Sequence, residues 1–151
     1  MCDRPSTLRV ALMALRDVVG AGVSILPQSL SGSILCIIWP LKDQSTGELR
    51  VVVINSDLTN CTARLNVANG LNSTASITRL VAPALTSLVE DIRWGGMQFS
   101  AINGTIFGNA SSEYVAPAVL ADSSLDYWVS VPNGTMAYVR IPQVAGSKTH
   151  G

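Results

Sequence analysis

Arg79-Leu80-Val81-Ala82-Pro83, followed after a loop by Arg93-Trp94-Gly95-Gly96-Met97-Gln98-Phe99, decides how the chain is read. The run Ala75 to Leu80 is strand-like and stops at Ala82-Pro83, because proline has no N–H to give to a ladder. After the loop comes a large aromatic, Trp94, then two glycines that permit a bulge or a tight bend. Trp94 and Phe99 are two of only eight aromatic residues in the sequence. Their size and apolar area make them core anchors of a β-sandwich.

Upstream of that stretch, Ile34 to Trp39 is a short apolar strand closed by Pro40. A polar turn, Lys42 to Gly47, leads into a return strand, Leu49 to Asn55, so the pair predicts a hairpin. Val51-Val52-Val53-Ile54 shows no alternation. Two accounts stay open: a body packs on the sheet from outside, or the strand is central at a crowded corner. Ala63, Leu65 and Val67 alternate with Thr62, Arg64 and Asn66, the mark of a half-buried strand. Asn69-Gly70 is a turn, after which Ala75 to Leu80 pairs back. Trp94 to Phe99 is a bulged strand, and Asn103-Gly104 turns the chain into Thr105 to Phe107. Glu113 to Val115 and Asp126 to Val131 are strands. Pro132-Asn133-Gly134 is a turn. The last strand, Met136 to Ile141, points Ala137, Val139 and Ile141 inward and Met136 and Tyr138 outward.

About eight short strands separated by Gly, Asn and Pro turns predict a mainly β fold, an antiparallel Greek-key-like sandwich over residues 34–142. Before it, Leu8 to Val19 reads as one helix, with Leu8, Leu12, Leu15 and Val19 as its apolar stripe and Gly20 and Gly22 as its stop. Residues 23–33 form a linker with Pro27 and Gly32, so 1–33 is helix plus linker. Residues 143–151 are a polar tail.

A chain of 151 residues is one domain with room for a real core. Charged residues are 13% of it, against an ordinary level of about 25%. Ten basic and ten acidic residues give no net charge, and no basic patch stands out, so nucleic acid is not an expected partner. No stretch approaches the ~20 apolar residues of a membrane span, so a membrane is not expected either.

The three cysteines, Cys2, Cys36 and Cys61, cannot form a complete internal framework. Cys36 and Cys61 pair if their strands are neighbours; otherwise they are buried thiols. Five sequons, at Asn60, Asn72, Asn103, Asn109 and Asn133, are candidate N-glycosylation sites and point to a secretory origin. The apolar run Val10 to Leu15 is short and broken by Arg16-Asp17, unlike a signal peptide. A fragment or a mis-started gene model would reconcile the two.

No metal or cofactor is expected. The sole histidine, His150, lies in the tail, and the cysteines lack metal-ligand spacing. A Ser-His-Asp triad would need that same histidine. No phosphate-binding glycine motif is present.

The opening stretch resembles the C-terminal β-domain of glycoside hydrolase family 79, the fungal β-glucuronidase and heparanase-like group. Those domains read R-L-x-A-P, a short loop, W-[AG]-G-Q-[ST]-[FY], then glycines in a polar hairpin. The matching residues are Arg79, Leu80, Ala82, Pro83, Trp94, Gly95, Gly96 and Phe99, followed by Gly104 and Gly108. Met97-Gln98 replaces the family's Gln-Ser/Thr pair. The likeness runs from about Ile34 to Ile141.

The resemblance implies a non-catalytic accessory domain that packs on and stabilises a catalytic (β/α)-barrel acting on glucuronide-bearing glycans. It implies that Leu8 to Val19 is a remnant of a barrel helix. It also implies an open sheet edge, since the family's β-domain receives a strand from before the barrel. Retaining glycosidases need two carboxylates about 5–5.5 Å apart, and in this family both lie on the barrel. Glu48, Glu90 and Glu113 stand in no such motif, so no catalytic residue is assigned. The alternative is a free-standing secreted carbohydrate-binding module. Trp39, Tyr127, Trp128 and Tyr138, with Tyr114, are its candidate glycan-facing residues, or interface residues on the first reading. Tyr127 and Trp128 lie on opposite faces of one strand, so one of them points outward.

Overall fold

The structure, a computed structural model, describes residues 17–20, 22–26, 36–68, 70–83, 88–100, 102–103 and 105–143. The expectations for Leu8 to Arg16, the 27–33 linker, Ile34, Asn69, Gly104, residues 144–151, Cys2 and His150 lie outside those residues.

Among the described residues, twelve strands run antiparallel in two sheets. They are β1 (Val23–Ile25), β2 (Cys36–Asp43), β3 (Leu49–Asn55), β4 (Cys61–Val67), β5 (Ala75–Val81), β6 (Arg93–Trp94), β7 (Met97–Phe99), β8 (Ile106–Phe107), β9 (Glu113–Val115), β10 (Ala118–Val119), β11 (Leu125–Val131) and β12 (Met136–Ile141). The large sheet has the order β1-β2-β3-β12-β5-β6-β7-β8, with β9 beside the start of β5; the small sheet is β10-β11-β4.

Period-two alternation builds the core between the sheets. Val51, Val53, Ile77, Val139 and Ile141 from the large sheet meet Ala63, Leu65, Tyr127, Val129 and Val131 from the small one. Polar groups inside are satisfied, as burial requires. The Tyr127 hydroxyl donates to Ser73 O at 2.8 Å. Asn55 donates through Nδ2 to Thr59 O and Val131 O at 2.9 and 2.8 Å. A Cys36–Cys61 disulfide ties β2 of the large sheet to β4 of the small one, with the Cα atoms 6.5 Å apart. The pairing condition set by the sequence is therefore met across the sandwich.

Several expectations are corrected by the long-range order. Ala75 to Leu80 does not pair back on β4; β5 pairs with β12, and β4 pairs with β11 in the other sheet. Alternation marks a strand's two faces but not its partner. Trp94 to Phe99 is not one bulged strand. Gly95 and Gly96, at φ +55° and +84°, are the two turn residues of a hairpin joining β6 to β7, the positive-φ pair such turns demand. Pro40 does not end its strand: β2 runs through it to Asp43, and Pro40 O accepts from Leu26 N at 3.0 Å. The missing N–H falls on that same side, where β1 has already ended, so no ladder bond is lost. Val23–Ile25, read as linker, is an edge strand paired with β2.

Candidate functional site

The outer face of the large sheet carries a second hydrophobic cluster. Cross-strand register sets its rows: Ile37, Ile54, Met136, Leu80 and Trp94 lie side by side, and Trp39, Val52, Tyr138 and Thr78 form the next row. Trp94, Phe99 and Tyr138 are buried here together with Leu41 and Val18. Trp94 and Tyr138 stack with ring centroids 6.2 Å apart. The two core anchors read from the sequence, Trp94 and Phe99, are thus buried, but outside the sandwich rather than between its sheets.

The cover over this cluster is the helical turn Asp17–Val19. Val18 is 7% exposed and Val19 is half-buried, so Val18 is the inserted residue of this turn. Three bonds fix it. Trp94 Nε1 donates to Asp17 Oδ2 at 3.1 Å, the Tyr138 hydroxyl to Asp17 O at 3.0 Å, and Arg50 Nη1 to Val18 O at 2.8 Å. The last two satisfy carbonyls that a helix end leaves without internal partners. Tyr138 therefore faces outward from the sandwich, as its strand phase predicts, yet is 3% exposed. Burial pushes its hydroxyl pKa up.

An ion network anchors Arg50. Its guanidinium pairs with Asp43 and, through Nε, with Glu48 at 3.2 Å. Arg140 grips the same Glu48 carboxylate with two bonds of 3.0 Å. Asp43 also accepts from the Ser45 hydroxyl at 2.6 Å and the Thr46 amide at 2.9 Å. The Ser45 hydroxyl bond, then the Thr46 amide bond, hold its carboxyl well below the usual carboxylate range. A depressed folded-state pKa means the unfolded chain takes up the proton first as pH falls. Stability from Asp43 is therefore fully present above about pH 4 and is lost below it. Urea titrations from pH 6 to pH 2 are expected to show this fall, and Asp43→Asn to be both less stable at pH 6 and flatter across the range. Equal slopes for the two proteins would show that Asp43 is not the group responsible.

Beyond the covered zone the face stays partly open. Trp39 is 44% exposed, while Ile37, Val52, Ile54 and Met136 are half-buried. Val51 and Val53 point into the main core and Val52 and Ile54 onto this face, which explains the unbroken apolar run. Next to them lies a cleft of about 530 Å³ lined by Ile54, Leu58, Leu80, Pro83, Ile92 and Met136. Ala82 lines it as well.

The remaining motif residues have structural roles. Arg79 donates through Nε to Glu113 at 2.6 Å and through Nη1 to Ser130 O at 2.8 Å, which bridges β5 to the small sheet. A Cβ on Gly96 would sit 2.9 Å from Asn109 O, so that position has no room for a side chain. Gln98 Nε2 donates to Glu90 O at 3.3 Å across the hairpin's approach. Glu48 and Glu113 are thereby engaged by arginines.

Trp128 is 54% exposed and Tyr127 is 0% exposed, so the outward member of that pair is the tryptophan. Tyr127 and Tyr138 are withdrawn as glycan-facing candidates, because one is inside the sandwich and the other is under Val18. Tyr114 is 70% exposed on β9. All five sequon asparagines are exposed. Asn60 Oδ1 accepts from the Asn133 amide at 3.1 Å, so two of them lie together at one end. Among the described residues no group of three metal-ligating side chains occurs.

No family model and no curated protein matches the sequence. Solved structures do. A 4-O-α-L-rhamnosyl-β-D-glucuronidase from Fusarium oxysporum 12S aligns at 23% identity and TM-score 0.48, covering 69% of this chain. A GH30 endoxylanase from Clostridium papyrosolvens C71 aligns at 11% identity and TM-score 0.49, covering 83%. A GH51 α-L-arabinofuranosidase from Thermotoga petrophila RKU-1 aligns at 11% identity and TM-score 0.48, covering 77%. The neighbours are glycoside hydrolases, and the chain spans only 26%, 25% and 21% of their respective lengths.

Proposed function

We propose that this chain is the accessory β-sandwich of a secreted glycoside hydrolase resembling family 79, and that it docks a catalytic (β/α)-barrel through the outer face of its large sheet. One observation carries the reading: the helical turn Asp17–Val19 is seated on that face by Trp94, Tyr138 and Arg50. The same face is apolar and still exposes Trp39 and the Leu58 cleft. Apolar surface of that kind, rimmed by polar groups, is what a docking partner covers.

Two further features support the reading. Among the described residues, β4 has a partner on only one side, and a cleft of about 650 Å³ beside it is lined by Ile38, Leu49, Leu65, Val67 and Ile141. An added strand, as the resemblance implies, would find a ladder there beside a slot lined by these apolar side chains together with Arg64, Asn66 and Asp122. The disulfide and the exposed sequons fit a secretory origin.

Transcript sequencing upstream of the Met1 codon is expected to read in frame into a (β/α)-barrel. The purified chain alone is expected to release nothing from aryl β-glucuronides. An in-frame stop immediately upstream, or turnover by the isolated chain, would overturn the proposal.

A further inference from the structure

The opposite side of the sandwich, the outer face of the small sheet, is built differently. It is polar, and one large aromatic stands in its middle. Trp128 on β11 is 54% exposed and sits in register with Arg64 on β4. The Arg64 guanidinium carbon lies 5.6 Å from the centre of the indole ring. Arg64 Nε donates to Asp126 Oδ2 at 2.7 Å, and Asn66 Nδ2 donates to Asp126 Oδ1 at 2.7 Å. Asp126 is 2% exposed, while the Arg64 side chain is 52% exposed. The anion of this pair is therefore beneath the surface and the cation above it. The two terminal nitrogens of Arg64 have no partner among the described residues.

The Arg64 guanidinium lies over one face of the exposed Trp128 indole, and a sugar ring offers a flat apolar face of C–H groups that matches the other. A guanidinium with free terminal N–H groups takes a carboxylate by a two-pronged bond. A uronic acid unit carries its carboxylate on the rim of the ring, beside the face that would stack. We propose that Trp128 and Arg64 form a binding site for uronate units of an acidic polysaccharide: the pyranose ring on Trp128, the carboxylate on the Arg64 terminal nitrogens. Asp126 and Asn66 are positioning residues that hold the guanidinium over the ring. The site lies on the small sheet, and the docking face belongs to the other sheet.

Affinity electrophoresis of the purified chain tests it, with polygalacturonate, alginate or glucuronoxylan in the gel and neutral arabinan as control. Retardation by at least one acidic polymer and not by arabinan is expected. Trp128→Ala and Arg64→Gln are each expected to weaken it about tenfold, and Trp128→Phe, which keeps a flat ring, to restore part of it. Circular dichroism and the melting temperature check that the variants fold. Should Arg64→Gln fail to fold, the Trp128 variants decide alone. No retardation of the wild-type chain, equal retardation by arabinan, or an unchanged Trp128→Ala would each overturn the assignment.

Discussion

Trp94→Ala is expected to lower the unfolding free energy by about 3–5 kcal/mol, the usual cost of emptying a large aromatic site. Trp94 is 2% exposed, stacks on Tyr138 and donates to Asp17. Its removal opens a void in the outer cluster and unseats the helical turn. Two measurements read the two effects. Urea denaturation gives the stability. Hydrogen exchange at the Val18 and Val19 amides reads the seat, and exchange there should rise more than at Val139. Tyr138→Phe is the graded control. It keeps the ring and loses only the bond to Asp17 O, so about 1 kcal/mol is expected. A Trp94→Ala loss below about 1 kcal/mol would place the indole outside any packed cluster.

Opening the disulfide has the second large effect. The closed loop spans a sequence separation of 25, for which the chain-entropy model gives about 3–4 kcal/mol. Cys36→Ser with Cys61→Ser is expected to lose that much relative to the oxidised protein. For a domain of ordinary stability, about 5–15 kcal/mol, this is a large share. The bond is also the covalent tie between β2 and β4, in different sheets. Thiol labelling of the denatured wild-type chain should find one reactive cysteine before reduction and all three after it. Three reactive thiols before reduction would remove the bond from the account.

The fold class was legible because it rests on local signals. Alternation over β4 and β12 gave their inward residues correctly: Ala63, Leu65, Val67, Ala137, Val139 and Ile141 all pack in the main core. The Asn133-Gly134 turn, the β2–β3 hairpin and the burial of Trp94 and Phe99 were readable for the same reason. The unbroken Val51–Ile54 run left two accounts open, and the strand's two faces differ: Val51 and Val53 are buried in the main core, while Val52 and Ile54 are half-buried on the outer face.

The candidate site was only half legible. Strand phase put Tyr138 outward, and it is; what phase cannot show is that Val18 lies over it. The Tyr127–Trp128 alternation required one outward aromatic, and only the burial of Tyr127 in the main core, with its hydroxyl bonded to Ser73 O, chose between them. Arg64, Asp126 and Asn66 carried no motif, being distant in sequence and brought together by the β4–β11 register.

The sequence by itself determined a β-sandwich with its main core, because hydrophobic period and turn chemistry act over a few residues. Only the tertiary structure decided which strands share a sheet, that Cys36 meets Cys61, and that two different outer faces result. Those outcomes depend on contacts between residues far apart in the chain, and no local pattern encodes which distant partner a strand will find.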